Sequence, residues 1–231
     1  MPHHTTRTGK HGEVPDAIYP GPDLMPAIEI HSRWGTGEYR GNPRPLHKVH
    51  PGPSYVVDLL DRGLMLGFVG GTDTHTTFPA WDDRPTPDHL DRLPGLTAVR
   101  APRLTREDVF AAIAGRNCYA ASGERIYLDA DVAGAAPGTR LDWRDAARPR
   151  PIGVSAAARG DIDAIEIARN GRTVARHEPG RWHGRMDFTD DEPLAGLWLD
   201  SPHLGRFVYY HVRVTCASGA QAWSSPVWLI G

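Results

Sequence analysis

With 231 residues, 40% of them hydrophobic and 23% charged, the chain has the make-up of a globular protein and the length for one large domain or two small ones. A formal net charge of -2 with no basic run argues against a nucleic-acid or anionic-membrane surface as the main partner. No apolar stretch approaches the roughly 20 residues that cross a bilayer, and Met1-Pro2-His3-His4-Thr5-Thr6-Arg7 lacks the apolar core of a signal peptide, so a soluble, cytoplasmic chain is expected.

Residues 1–26 are rich in His, Thr, Gly and Pro without periodicity and read as an irregular segment, in which His3, His4 and His11 are either solvated or functional. Pro26 to Ser32 then alternates like a strand, with Ile28 and Ile30 on one face and Glu29 and His31 on the other. The glycine-rich turn from Arg33 to Gly41 is off register for a dinucleotide-binding loop and opens no helix pattern, so that reading is rejected. Ser54 to Gly63 reads as a helix with Gly63 as its stop. Leu66 to Gly71 follows as a buried strand that ends at Asp73-Thr74-His75.

Asp73 and His75 stand two residues apart, so in extended chain both leave one face and can converge on a metal ion. Carboxylate and imidazole together suit zinc, iron or manganese, although an isolated Asp-x-His also arises by chance. Strand, loop, helix, strand is the repeat of an α/β barrel or open parallel sheet, whose functional groups gather at strand C-termini.

The proline-rich stretch 76–103 reads as a long connection, and Leu104 to Gly115 as a helix capped by Thr105 with Val109, Phe110 and Ile113 as its buried stripe. Cys118 and Cys216 read as buried thiols. Beyond residue 124 the pattern has period two: 125–132, 151–157, 162–168, 173–177, 182–188, 207–215 and 222–230, with Asn170-Gly171 and Ser218-Gly219 where hairpin turns are needed. An antiparallel β-sandwich over 124–231 is expected. Its aromatics Trp182, Tyr209, Tyr210, Trp223 and Trp228 are expected in core packing in preference to a carbohydrate surface.

The ordered set Pro2-His3-His4-Thr5, Ile28-Glu29-Ile30-His31-Ser32 with Trp34-Gly35 and Glu38, Gly71-Thr72-Asp73-Thr74-His75, and Leu104-Thr105-Arg106-Glu107 leading to Asn117 through Ile126 resembles the C-terminal part of DUF3604 proteins, relatives of the polymerase and histidinol phosphatase (PHP) metal-dependent hydrolases. Ala222 to Trp228 looks like the terminal strand of that family. The resemblance implies an α/β fold: a truncated, distorted PHP-type β/α barrel over 1–123, followed by the β-sandwich. It implies a phosphoesterase-type hydrolase in which zinc, manganese or iron activates water for attack on a small-molecule substrate such as a phosphate ester.

Carried over by motif, Asp73 and His75 are the catalytic metal ligands, His4 joins them with His3 as the competing choice, and Glu29, Ser32 and Glu38 take substrate or outer positions. The His-x-His that opens such barrels has no counterpart in the chain. A second expectation follows: a catalytically incomplete fragment or subunit that works through a partner, as a homodimer or with an N-terminal half supplied separately.

Overall fold

The computed structural model describes residues 1–6, 14, 18–46, 54–74, 94–145 and 147–231. His75, His11 and most of the proline-rich connection lie outside the described residues.

The chain opens on a small sheet. β1 (Ala27–Ser32) turns back through β2 (Gly35–Thr36), α1 (Val56–Asp61) crosses over, and β3 (Gly67–Gly70) returns parallel to β1, giving the order β2-β1-β3. The apolar alternation of β1 drives this packing: Ile28 and Ile30 bury against Val56, Leu59 and Leu60 of α1 and Phe68 of β3. Gly63, at φ +82°, ends the helical turn as the sequence predicts.

The rest is one mixed sheet of 11 strands. β4 (Gly95–Val99) pairs antiparallel with β5 (Cys118–Ser122), separated from it in sequence by α2 (Arg106–Ala114). There follow β6 (Tyr127–Val132), β7 (Arg140–Asp142), β8 (Arg150–Arg169), β9 (Arg172–His177), β10 (Arg181–Asp190), β11 (Leu199–Ser201), β12 (Gly205–Cys216), β13 (Gln221–Ser224) and β14 (Val227–Ile230). The main path runs β10-β8-β12-β13-β5-β4. β8 joins what the sequence suggests as two strands. Its first half pairs with β6 and β10 and its second half with β12 and β9, with an exposed break at Arg159-Gly160-Asp161.

Two cores share one layer. Val208, Tyr210, Val212 and Val214 of β12 face a core with Leu128, Ile152, Val154, Ile165 and Ile167. From the same layer Phe207, Tyr209, Trp223 and Trp228 face the core of the small sheet. Of the aromatics weighed as a sugar-binding surface, only Trp182 is exposed.

The β/α barrel is therefore not the fold. Among the described residues 47% are in strands and 10% in helices, and no closed barrel forms. The parallel unit β1-α1-β3 is real, but the chain then continues into antiparallel pairing at β4 and β5, and of the strand pairs formed after it only β7 with β14 is parallel among the described residues. The expected separate sandwich is also corrected: β5 hydrogen-bonds to β13, so strands on both sides of residue 124 belong to one sheet. α2 does not cover a parallel sheet either. Thr105 caps it as predicted, accepting a hydrogen bond from the Asp108 N–H at 3.2 Å, yet Phe110 is 74% exposed and Ala112 is its only fully buried residue. No helix among the described residues is long and apolar enough to cross a membrane.

Candidate functional site

The groups that carry chemistry meet where the N-terminal segment runs beside the ends of β1 and β3. The Glu29 N–H donates to the Pro2 carbonyl at 3.0 Å, and the Thr5 hydroxyl donates to the Ser54 carbonyl at 2.6 Å, which fixes His4 between them. The His4 ring is buried, and its Nε2 lies 2.9 Å from Ser32 Oγ and 3.4 Å from both Glu29 Oε1 and Asp73 Oδ2. His3 is exposed and meets His4 edge to face, with ring centroids 5.0 Å apart. Of the two competing histidines, His4 brings its Nε2 within 3.4 Å of the Glu29 and Asp73 carboxylates.

A backbone irregularity decides which residues of β1 join. The register with β3 shifts between Glu29 and His31, so simple alternation fails there. His31, expected beside Glu29, instead stacks on Trp223 at 5.8 Å and shares a 2.9 Å hydrogen bond between Nδ1 and Thr36 Oγ1. Ser32 takes its place beside His4.

Burial and the negative charge of Asp73 push the Glu29 carboxyl up to about 8. Its Oε1 is buried and accepts no hydrogen bond among the described residues. His4 and Asp73 both hold left-handed backbone, at φ +50° and +48°, a conformation that non-glycine residues rarely adopt.

Three glycines bring these strands close. A Cβ on Gly70 would lie 2.6 Å from the Leu96 carbonyl oxygen, and one on Gly95 would lie 2.5 Å from that of His31. The Gly71 N–H donates to His31 O at 3.0 Å and Gly95 N–H to Gly71 O at 2.9 Å, while Thr97 Oγ1 accepts from the Gly70 N–H and donates to its carbonyl. This seam between β3 and β4 carries the chain to Asp73. β4 lies inside the proline-rich stretch 76–103, which reads in the sequence as a connection, so the seam is missed there; the paired glycines of Val69-Gly70-Gly71 are its one visible sign.

Glu38 lies elsewhere. Its Oε1 accepts from Arg213 Nη1 at 2.7 Å and lies 3.1 Å from His211 Nε2, and its Oε2 accepts from Trp223 Nε1 at 2.8 Å. Burial alone raises its carboxyl, but the His211 hydrogen bond, the Arg213 charge and the Trp223 N–H outweigh it and hold the group below the usual carboxylate range. Glu38 ties the loop after β2 to β12 and β13.

The fit to a metal can be judged from these groups. Among the described residues no group of three or more His, Cys, Asp or Glu side chains forms a ready metal centre. Even so, the separations of 3.4 Å between His4 Nε2 and each carboxylate oxygen match the edge, about 3.4 Å, of a tetrahedron with bonds of about 2.1 Å. A buried carboxylate oxygen that has no donor among the described residues, next to a second carboxylate, also fits a cation.

No family model and no solved structure matches the chain. It is similar to an uncharacterized protein of Chlamydia pneumoniae, 32% identical over 236 residues, which cover 97% of this chain and 37% of that protein. It is likewise similar to an uncharacterized protein of Chlamydia muridarum, 33% identical over 216 residues that cover 87% of this chain and 34% of the relative. A third, from Chlamydia trachomatis serovar D, is 32% identical over 222 residues, covering 90% and 35%. The chain thus spans about a third of the length of the curated relatives it matches.

Proposed function

We propose that the chain carries part of a divalent-metal site of a hydrolase acting on a small anionic substrate of the phosphate-ester class. The observation that carries this reading is the position of His4 Nε2, 3.4 Å from the carboxylates of both Glu29 and Asp73. His4 and Asp73 hold the ion, Glu29 completes the side facing β1, and His75, outside the described residues, belongs to the same proposed set. The motifs that resemble DUF3604 proteins contain His4, Glu29, Ser32 and Asp73, which supports the chemistry independently of the barrel. A bound zinc, manganese or iron ion would supply Lewis-acid activation of water and neutralise charge on the departing oxygen.

The chain's own residues have definite tasks in this reading. Glu29 and Asp73 provide excess negative charge in a mostly buried pocket, so a proton or a cation is held there strongly. Ser32 Oγ, which also accepts the Trp34 N–H at 3.2 Å, holds His4 Nε2 at 2.9 Å in the metal-free protein, a contact that the ion would replace. A cytoplasmic location belongs to the same proposal, supported by two buried cysteines that are free thiols.

One observation favours a second reading. The chain spans about a third of its curated relatives, which suits a unit that acts only with a partner, either a second copy or the remainder of a longer polypeptide. Elemental analysis after exhaustive dialysis separates the two, with wild type measured beside His4→Ala and Asp73→Asn. Near-stoichiometric zinc, manganese or iron in the wild type alone, with hydrolysis of p-nitrophenyl phosphate that a chelator abolishes, is the expected result. Equal, negligible metal in all three proteins would overturn the hydrolase reading and leave the partner-dependent one.

A further inference from the structure

The three glycines of the seam are not equivalent. At Gly70 and Gly95 the space of a side chain is filled by backbone, of Leu96 in one case and of His31 and Gly71 in the other. At Gly71 the three nearest atoms to a would-be Cβ all belong to the Glu29 side chain: Oε2, which it would overlap, Cδ at 3.3 Å and Cγ at 3.9 Å. Gly71 lies outside the left-handed region, so its backbone itself accepts an ordinary residue. The glycine is therefore required by the Glu29 carboxylate and not by the chain path.

We propose that Gly71 is a positioning residue for Glu29: the bare Cα seats Oε2 against the end of β3 and thereby turns Oε1 toward His4 Nε2. The inference rests on the metal-site reading for its functional meaning, while the steric relation between residues 71 and 29 stands on the geometry alone. An added methyl group forces the flexible end of Glu29 to swing away, because the far end of a side chain yields more readily than packed backbone. The fold is kept and the carboxylate is lost from the site.

Four proteins test this: wild type, Gly71→Ala, Glu29→Ala and the double variant, each titrated with cobalt(II) alone by visible absorption and each melted without metal. Gly71→Ala is expected to stay folded, to weaken cobalt binding about ten- to hundredfold and to change the absorption band. In the Glu29→Ala background the same substitution should change neither quantity. Wild-type-like cobalt binding by Gly71→Ala, or effects of the two substitutions that simply add, would overturn the proposal.

If the wild type binds no cobalt, the metal reading fails and the melts alone decide the positioning relation. A midpoint that Gly71→Ala lowers only when Glu29 is present supports it, and equal lowering in both backgrounds refutes it. Should Gly71→Ala fail to fold, a folded double variant gives the same support, and an unfolded one the same refutation.

Discussion

Asp73 and His4 show at the scale of single residues how this site is held. Both sit at left-handed φ, where a residue with a β-carbon is strained by about 1 kcal/mol or more. Asp73 also places its charge against the buried Glu29 carboxyl. Asp73→Gly relieves both, so urea denaturation of the metal-free protein should show a gain of roughly 0.5–1 kcal/mol, while metal binding falls. A loss of stability would mean that the other contacts of Asp73 outweigh its strain. Asp73 could be singled out from the sequence because Asp-x-His is a recognisable ligand spacing. Its partners were only half legible: Glu29 lies on the expected strand face, but the bulge that exchanges His31 for Ser32 leaves no mark in a pattern of alternating residues.

Among the elements, the best-read are those with local punctuation. Asn170 and Gly171, at φ +47° and +70°, make the tight turn between β8 and β9, and Thr105 caps α2. The sequence pattern over 222–230 reads as a single strand, which Ser225-Pro226 divides into β13 and β14; Ser225 Oγ accepts the Phe68 N–H at 2.9 Å and donates to the Cys118 carbonyl at 2.6 Å. What could not be read was which strands meet, since β5 and β13 are joined by pairing across about a hundred residues of chain. α2 is the clearest case of a right element with a wrong role. Its periodicity points Val109, Phe110 and Ile113 inward, but Phe110 is 74% exposed. Phe110→Ala should therefore change the thermal midpoint by the equivalent of less than about 0.5 kcal/mol, where a buried phenylalanine would cost about 3–5.

Taken whole, the molecule is organised by the layer of β12, β13 and β5, buried on both faces. Residues 124–231, which the sequence marks off as a separate sandwich, would leave Phe207, Tyr209, Trp223 and Trp228 uncovered when produced alone. Each such side chain contributes about 1.5–3 kcal/mol when buried, so the isolated segment should bind a hydrophobic dye and lack a cooperative melt. A sharp melt without dye binding would show that the large sheet suffices by itself. Acid should act at the ties across the layers. Glu38 is held down by His211, Arg213 and Trp223, and Asp190, despite its burial, by Tyr210, Arg169 and Arg150. A carboxyl with a depressed folded-state pKa contributes stability above its unfolded value, about 4, which is lost as the pH falls through the folded value. Glu29, whose folded value is raised to about 8, acts in the opposite sense and takes stability away as the pH rises from about 4 to about 8. Stability of the metal-free protein should therefore rise as the pH falls from about 8 to about 5 and fall steeply below about 4, and Glu38→Gln should flatten that fall.

Thr97 has a consequence for solubility. By accepting from the N–H and donating to the carbonyl of Gly70 at 3.0 Å and 2.8 Å, one hydroxyl occupies both hydrogen-bonding groups that Gly70 would otherwise offer to a passing strand. β4, whose Leu96 backbone lies against Gly70, thus closes the rim of the small sheet at that point through a side chain and not through a strand-to-strand hydrogen bond. Thr97→Val keeps the shape and removes the closure, leaving two polar groups unpaired at about 1–3 kcal/mol each. Concentration-dependent light scattering during mild heating should then appear in this variant before it appears in the wild type.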